Sequence, residues 1–147
     1  MNITIKRWGP VIIWAGSIIL LSSNSDPYNL FPERLFQWIY MTHIYGVRLT
    51  KILGPIGHIY QYAILSFLLS RALVWKTNLE SKHLVLAFSI SLMFAIIDEI
   101  HQYFVPIRAC QLSDVILDAL GSGLGIAVYV FIFSLRFYLK HREKSLS

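Results

Sequence analysis

Residues 84–102 read LVLAFSISLMFAIIDEIHQ, fourteen positions without a charge followed by Asp98-Glu99-Ile100-His101-Gln102. Lys82 and His83 bound the apolar part on one side, and Tyr103-Phe104-Val105 carry it on to Pro106. A span over about 83–105 is long enough to cross a hydrocarbon core, which takes about 20 helical residues. An ionised side chain at the centre of such a helix costs about 2.5–3.5 kcal/mol, and less near its end. Asp98, Glu99 and His101 close this segment, and Asp114 and Asp118 open the next apolar run. Groups so placed are either satisfied inside a helical bundle or put to use.

The composition agrees with a bilayer. Of 147 residues, 56% are hydrophobic, and the mean hydropathy is +0.58; soluble domains use about 45–50% apolar residues. Lys and Arg number 13 against 8 Asp and Glu. These cations fall between the apolar runs instead of along one helix face, a juxtamembrane pattern that excludes a nucleic-acid partner. Cys110 is the single cysteine, which excludes an internal disulfide and a cysteine-based metal motif.

The sequence predicts one all-α membrane domain over 1–147. It consists of four transmembrane helices in a compact bundle, at about 8–24, 52–75, 83–105 and 113–138. The first apolar run, Trp8 to Leu21, has the length of a signal-peptide core, but no small-x-small cleavage site follows it, and a retained helix is expected. Pro10 then falls in its first turn, where a missing N–H costs little. Between the first two spans, Phe31, Phe36, Trp38, Tyr40 and Tyr45 suit the headgroup layer. A short interfacial helix from Pro32 to about Tyr45 is predicted there.

With four spans, Lys6, Arg7, Arg71, Lys76, Lys82, Arg136, Lys140, Arg142 and Lys144 share one side, and Arg34, Arg48, Lys51 and Arg108 the other. Nine against four places both termini in the cytoplasm. His58, Asp98 to Gln102, Arg108, Asp114, Asp118 and Ser22 to Ser25 then all converge on the outer leaflet.

At 100° per residue, Asp98, His101 and Gln102 share one helix face, with Glu99 at its margin. Asp114, Asp118, Gly121 and Gly125 lie along one face of the fourth span. The glycines, spaced as GxxxG, admit a close neighbour, and the third span is expected along them, bringing Asp98 and His101 against Asp118. Ser113 is a suitable N-cap for that last helix. Asp98 and His101, joined by His58, suit a divalent metal, with Asp118 as a further ligand. The same groups, with Glu99, equally suit a base and its orienting carboxylate. Tyr62, one turn from His58, is expected as its hydrogen-bond partner or as a core residue. Gln102, Arg108, Asp114 and Asp118 are candidate ligand contacts, Arg108 either pairing with a carboxylate or offering a guanidinium fork to an anion. Beyond a divalent metal, the residues suggest no cofactor.

These motifs resemble the VanZ-like family of small bacterial membrane proteins. The resemblance rests on Ser22-Ser23-Asn24, Gly57-His58 with Tyr62, and above all Asp98-Glu99-Ile100-His101-Gln102, Pro106, Arg108, Asp114, Asp118 and Gly121. Asn24 stands where that family often has Gln, and Ala109-Cys110-Gln111 replace its usual small residues. The resemblance implies a multi-pass protein of the bacterial cytoplasmic membrane, in a cell-envelope context linked to resistance to the glycopeptide teicoplanin. Three functions follow as expectations. The first is a polar pocket that binds the head group of an outer-leaflet lipid or cell-wall precursor. The second is a membrane-embedded, metal-dependent enzyme acting on a lipid-linked or cell-wall substrate. The third is a small transporter, disfavoured by the lack of an inverted repeat and by a polar site away from the midplane. The sequence carries no signal for the oligomeric state.

Overall fold

The computed structural model describes residues 2–74 and 79–146, with side chains through Arg142. Its elements are α1 (Ile3–Ser22), a 3-10 turn (Pro27–Leu30), α2 (Glu33–Met41), β1 (His43–Ile44), β2 (Val47–Arg48), α3 (Leu49–Leu73), α4 (Ser81–Tyr103) and α5 (Leu112–Leu146). Four of the helices, α1, α3, α4 and α5, are long and apolar enough to cross a membrane. The all-α, four-span architecture expected from the sequence is therefore present. The expected end of the second span at Trp75, and Lys76 in the loop beyond it, lie outside the described residues, as does the side chain of Lys144.

Helix ends differ from expectation in ways the local chemistry explains. Asn2 caps α1 by accepting from the Thr4 N–H at 3.1 Å, so α1 starts five residues before Trp8. Pro10 consequently sits in the helix interior, where it removes the N–H that would reach the Lys6 carbonyl. The interfacial helix is shorter than predicted, ending at Met41. His43–Arg48 instead form a two-residue hairpin, with His43 paired to Arg48 and Ile44 to Val47. Its turn residues Tyr45 and Gly46 both have positive φ, 48° and 80°, as this mirror-image turn requires.

Large apolar residues such as Ile13, Leu20, Met93, Ile97, Leu120 and Phe131 are exposed on the bundle exterior, as a lipid-facing surface demands. The interior combines Tyr62, Ile18, Leu65 and Leu69 with small residues, Ala72, Ala87, Ala95 and several serines. Without a hydrophobic drive between helices in lipid, association depends on close packing and interhelical hydrogen bonds. Ser66 on α3 donates to the Ser122 carbonyl at 2.8 Å, and Ser91 on α4 meets the Ser122 hydroxyl at 2.7 Å. Three helices thus join at one fully buried serine. Trp14 on α1 donates to the Gln61 carbonyl at 2.9 Å, and Arg7 donates to the Ala72 carbonyl at the far end of α3.

The glycines of α5 pack against α3, which corrects the expectation that the third span lies along them. A methyl group added at Gly121 would overlap the backbone of Ile59, and one at Gly125 would overlap the Ala63 carbonyl and the Ser66 hydroxyl. No such obstacle meets Gly123. Helix α4 packs on a neighbouring face of α5 through Ser91 and Ser122.

Charge is segregated along the bundle. Arg71, Arg136 and Lys140 line a cavity of about 610 Å³ between α3 and α5 at one end. Asp98, Glu99, Asp114 and Asp118 gather at the other, hereafter the acidic end.

Replacing Gly121 or Gly125 with Ala should cost about 1–3 kcal/mol, the range for overpacking a tight core. Gly123→Ala should match or exceed wild type, because alanine is the better helix former. Thermal unfolding in detergent, followed by circular dichroism, measures all three. Equal tolerance at the three positions would refute the close α3–α5 seam.

Candidate functional site

The seam sets the register that makes the site. Gly121 against Ile59 places Asp118, one turn earlier on α5, beside His58, one residue earlier on α3. Their side chains meet with His58 Nδ1 at 2.9 Å from Asp118 Oδ1. Asp118 is fully buried, and its second oxygen, Oδ2, has no hydrogen-bond partner among the described residues. With Asp118 ionised, Nδ1 is the protonated nitrogen and Nε2 is left to act outward. Asp114 Oδ2 lies 3.8 Å from Nε2. The partner of His58 is therefore Asp118, and Tyr62 is a core residue, fully buried, whose hydroxyl has no hydrogen-bond partner among the described residues.

Glu99 completes this group from α4. Its Oε2 accepts from the Gln111 N–H at 3.0 Å, at the start of α5. That bond satisfies one of the orphan donors of a helix N-terminus and matches the sign of its dipole. Ser113 does not cap the helix, because α5 begins at Leu112 and encloses it. Glu99 is 1% exposed, and its Oε1 has no hydrogen-bond partner among the described residues. One ligand atom each from His58, Glu99 and Asp114 falls within 4.8 Å of the others. Among the described residues, these three are so grouped that they could hold a metal, a set that shares only His58 with the expected His58, Asp98, His101 and Asp118.

Helical geometry explains the difference. Ala87, Ser91, Ala95, Asp98 and Gln102 form the buried stripe of α4. Glu99 and His101 flank its centre by about 80° on opposite sides. One flank meets α5 and the other meets α1. Glu99 accordingly joins His58, whereas His101 is exposed and contacts Ser23 on α1 through Nε2 at 3.0 Å.

A second set of contacts starts from Arg108 in the α4–α5 turn. Its Nε donates to the Asn24 carbonyl at 3.1 Å, and Nη2 donates to the carbonyls of Asn24 at 3.0 Å and Leu21 at 3.4 Å. Nη1 donates to Gln102 Oε1 at 3.3 Å, and Gln102 Nε2 donates to Asp98 Oδ2 at 3.2 Å. Arg108 therefore caps the exposed carbonyls at the end of α1 with its cationic charge, a favourable match for a helix C-terminus. Four of its five N–H groups are engaged, and no carboxylate pairs with it among the described residues. The preceding Ile107 has φ of 70°, a left-handed conformation that strains a β-branched residue. The relay ends at Asp98, which is 5% exposed and whose Oδ1 has no partner among the described residues.

The two sets border a cleft of about 250 Å³ between α1, the 3-10 turn, α3 and α4. Leu21, Pro27, Phe31 and Leu53 give it apolar walls, and His58, Gln61, Asp98, Gln102 and Arg108 its polar ones. The connection after α1 covers this end. Asp26 accepts from the Tyr28 N–H at 3.0 Å and from the Tyr40 hydroxyl at 2.6 Å, and Tyr28 donates to the Thr50 carbonyl at 3.3 Å. Sequence reasoning passed over Asp26 and Tyr28; the Asp-Pro pair that opens the 3-10 turn was the available signal.

A family model described as VanZ/LLP1 matches residues 8–134. No curated protein and no solved structure matches the chain.

Burial, and then the hydrogen bond to Asp26, push the Tyr40 phenol up to about 12 from an ordinary 10.0. A folded-state pKa above the unfolded one means that this contact stabilises fully below pH 10 and is lost as pH rises through 12. The difference in phenolate absorbance between wild type and Tyr40→Phe should titrate near 12, and Asp26→Asn should bring it back toward 10. A wild-type transition already at 10 would show that the Tyr40–Asp26 contact is not made.

Proposed function

Since the chain belongs to the VanZ/LLP1 family, matched over residues 8–134, we propose that this multi-pass membrane protein receives a head group in the cleft at its acidic end. The observation that carries the reading is the cleft itself, where apolar walls adjoin Asp98, a buried carboxylate with an unused acceptor. A buried acceptor left unpaired costs about 1–3 kcal/mol, more when charged. A ligand bearing hydroxyl, amide or ammonium donors relieves that cost. His58 and Gln61 add further polar contacts, while Leu21, Phe31 and Leu53 suit the first methylenes of an acyl or prenyl chain.

Size limits the ligand. Drug-sized molecules occupy pockets of about 300–1,000 Å³, above the 250 Å³ available here. The cleft suits one head group, such as that of an outer-leaflet lipid or a lipid-linked cell-wall precursor, and is too small for a whole glycopeptide. A teicoplanin-resistance effect would then follow from altered access to the precursor and not from capture of the drug.

The segregation of charge supports the orientation. Arg71, Arg136 and Lys140 share one end, and Arg7 reaches Ala72 at that same end. The positive-inside rule places this end and both termini in the cytoplasm. The cleft then opens toward the outer leaflet of a bacterial cytoplasmic membrane.

Native mass spectrometry of the purified protein tests the reading, with phosphatidylethanolamine, phosphatidylglycerol and a lipid-linked cell-wall precursor as probes. One of these should bind wild type and His101→Ala alike and bind Asp98→Asn at least tenfold more weakly. Retention of all three lipids equally by wild type and Asp98→Asn would overturn it.

A further inference from the structure

The geometry points to a divalent-cation site formed by His58 Nε2, Glu99 and Asp114, with Asp118 as the residue that orients the imidazole. The cleft reading does not require this site, although the two share His58. His58, Glu99 and Asp114 come from three separate helices, yet each brings a ligand atom within 4.8 Å of the others. Bonds of about 2.0–2.2 Å to a common ion hold donors at roughly 3–4 Å, so loading would draw these atoms together by up to about 1 Å.

The second observation lies in Glu99. Its side chain is 1% exposed and its Oε1 is unpartnered, while Oε2 is fixed by the Gln111 N–H at 3.0 Å. The carboxylate is thus held in orientation by one oxygen and keeps the other available. His58 shows the same division of labour. Nδ1 is fixed by Asp118 at 2.9 Å, and Nε2 faces Asp114 Oδ2 at 3.8 Å. A ligating imidazole held through its other nitrogen by a carboxylate is a recurrent metal-site arrangement, and the outer carboxylate typically contributes 10–100-fold in affinity.

The donor set selects the ion class. One imidazole and two carboxylates suit Zn²⁺ or Mn²⁺ better than Ca²⁺, which prefers oxygen ligands only, or Cu⁺, which prefers sulfur. Two anionic ligands balance the charge of a divalent ion. Three protein ligands leave at least one position for water or an incoming oxygen. His58 also lines the cleft, so ion and cleft would share this residue, and a phosphate oxygen is the group such an ion would attract.

Isothermal titration of the chelator-stripped, full-length protein in detergent with Zn²⁺ or Mn²⁺ tests the site. Wild type and His101→Ala should each bind one ion per chain, and His58→Ala, Glu99→Gln and Asp114→Asn should each weaken binding at least 100-fold. Asp118→Asn should weaken it by 10–100-fold. Glu99→Gln keeps an acceptor for the Gln111 N–H, and its folding is checked by circular dichroism. Co²⁺ supplies an independent readout in unmodified protein, because its visible bands report mixed nitrogen and oxygen ligation. Absence of a stoichiometric ion and of Co²⁺ bands in wild type would overturn the proposal, as would loss of binding in His101→Ala with retention in Glu99→Gln.

Discussion

The close approach of α5 to α3 is the constraint on which the acidic end depends. Gly121 and Gly125 remove the side chains that would otherwise separate the two helices, so the backbone of α5 lies on that of Ile59 and Ala63. In lipid, where apolar surface alone gives little reason for helices to associate, contact of this kind supplies packing that larger residues prevent. The consequence is chemical as well as mechanical. One turn above the seam, the same register sets Asp118 Oδ1 2.9 Å from His58 Nδ1.

Around that pair, the bundle spends hydrogen bonds on holding its polar groups in place without exhausting them. Glu99 uses one oxygen at the start of α5, Asp118 one on His58, and Asp98 one on Gln102. Each retains a buried oxygen without a partner among the described residues. Arg108 is different: it staples the end of α1 to α4 through carbonyls and Gln102. One cation therefore fixes the frame, and the carboxylates keep unused acceptors within it.

Hydropathy and length made the spans legible in the sequence. The glycine pair announced a close helix neighbour but not which one, since small residues record proximity without naming the partner. Glu99 and His101 illustrate the same gap: their symmetric positions about the buried stripe of α4 are readable, but the helix met by each flank is a tertiary fact. The role of Arg108 was hidden because its acceptors are backbone carbonyls, which every residue possesses. The hairpin after α2 was hidden too, because Tyr45 occupies a left-handed turn position usually given to Asn, Asp or Gly.

The central claim is that these carboxylates are kept for a ligand and not for the stability of the bundle. Asp98→Asn tests it most directly, because asparagine preserves the acceptor for Gln102 while removing the buried charge. Thermal unfolding in detergent without added ligand or cation should show the variant at least as stable as wild type, since the cost of a charge in the membrane is relieved. A loss of about 1–3 kcal/mol, the range for a disrupted buried hydrogen-bond partner, would contradict the claim and make Asp98 a structural staple.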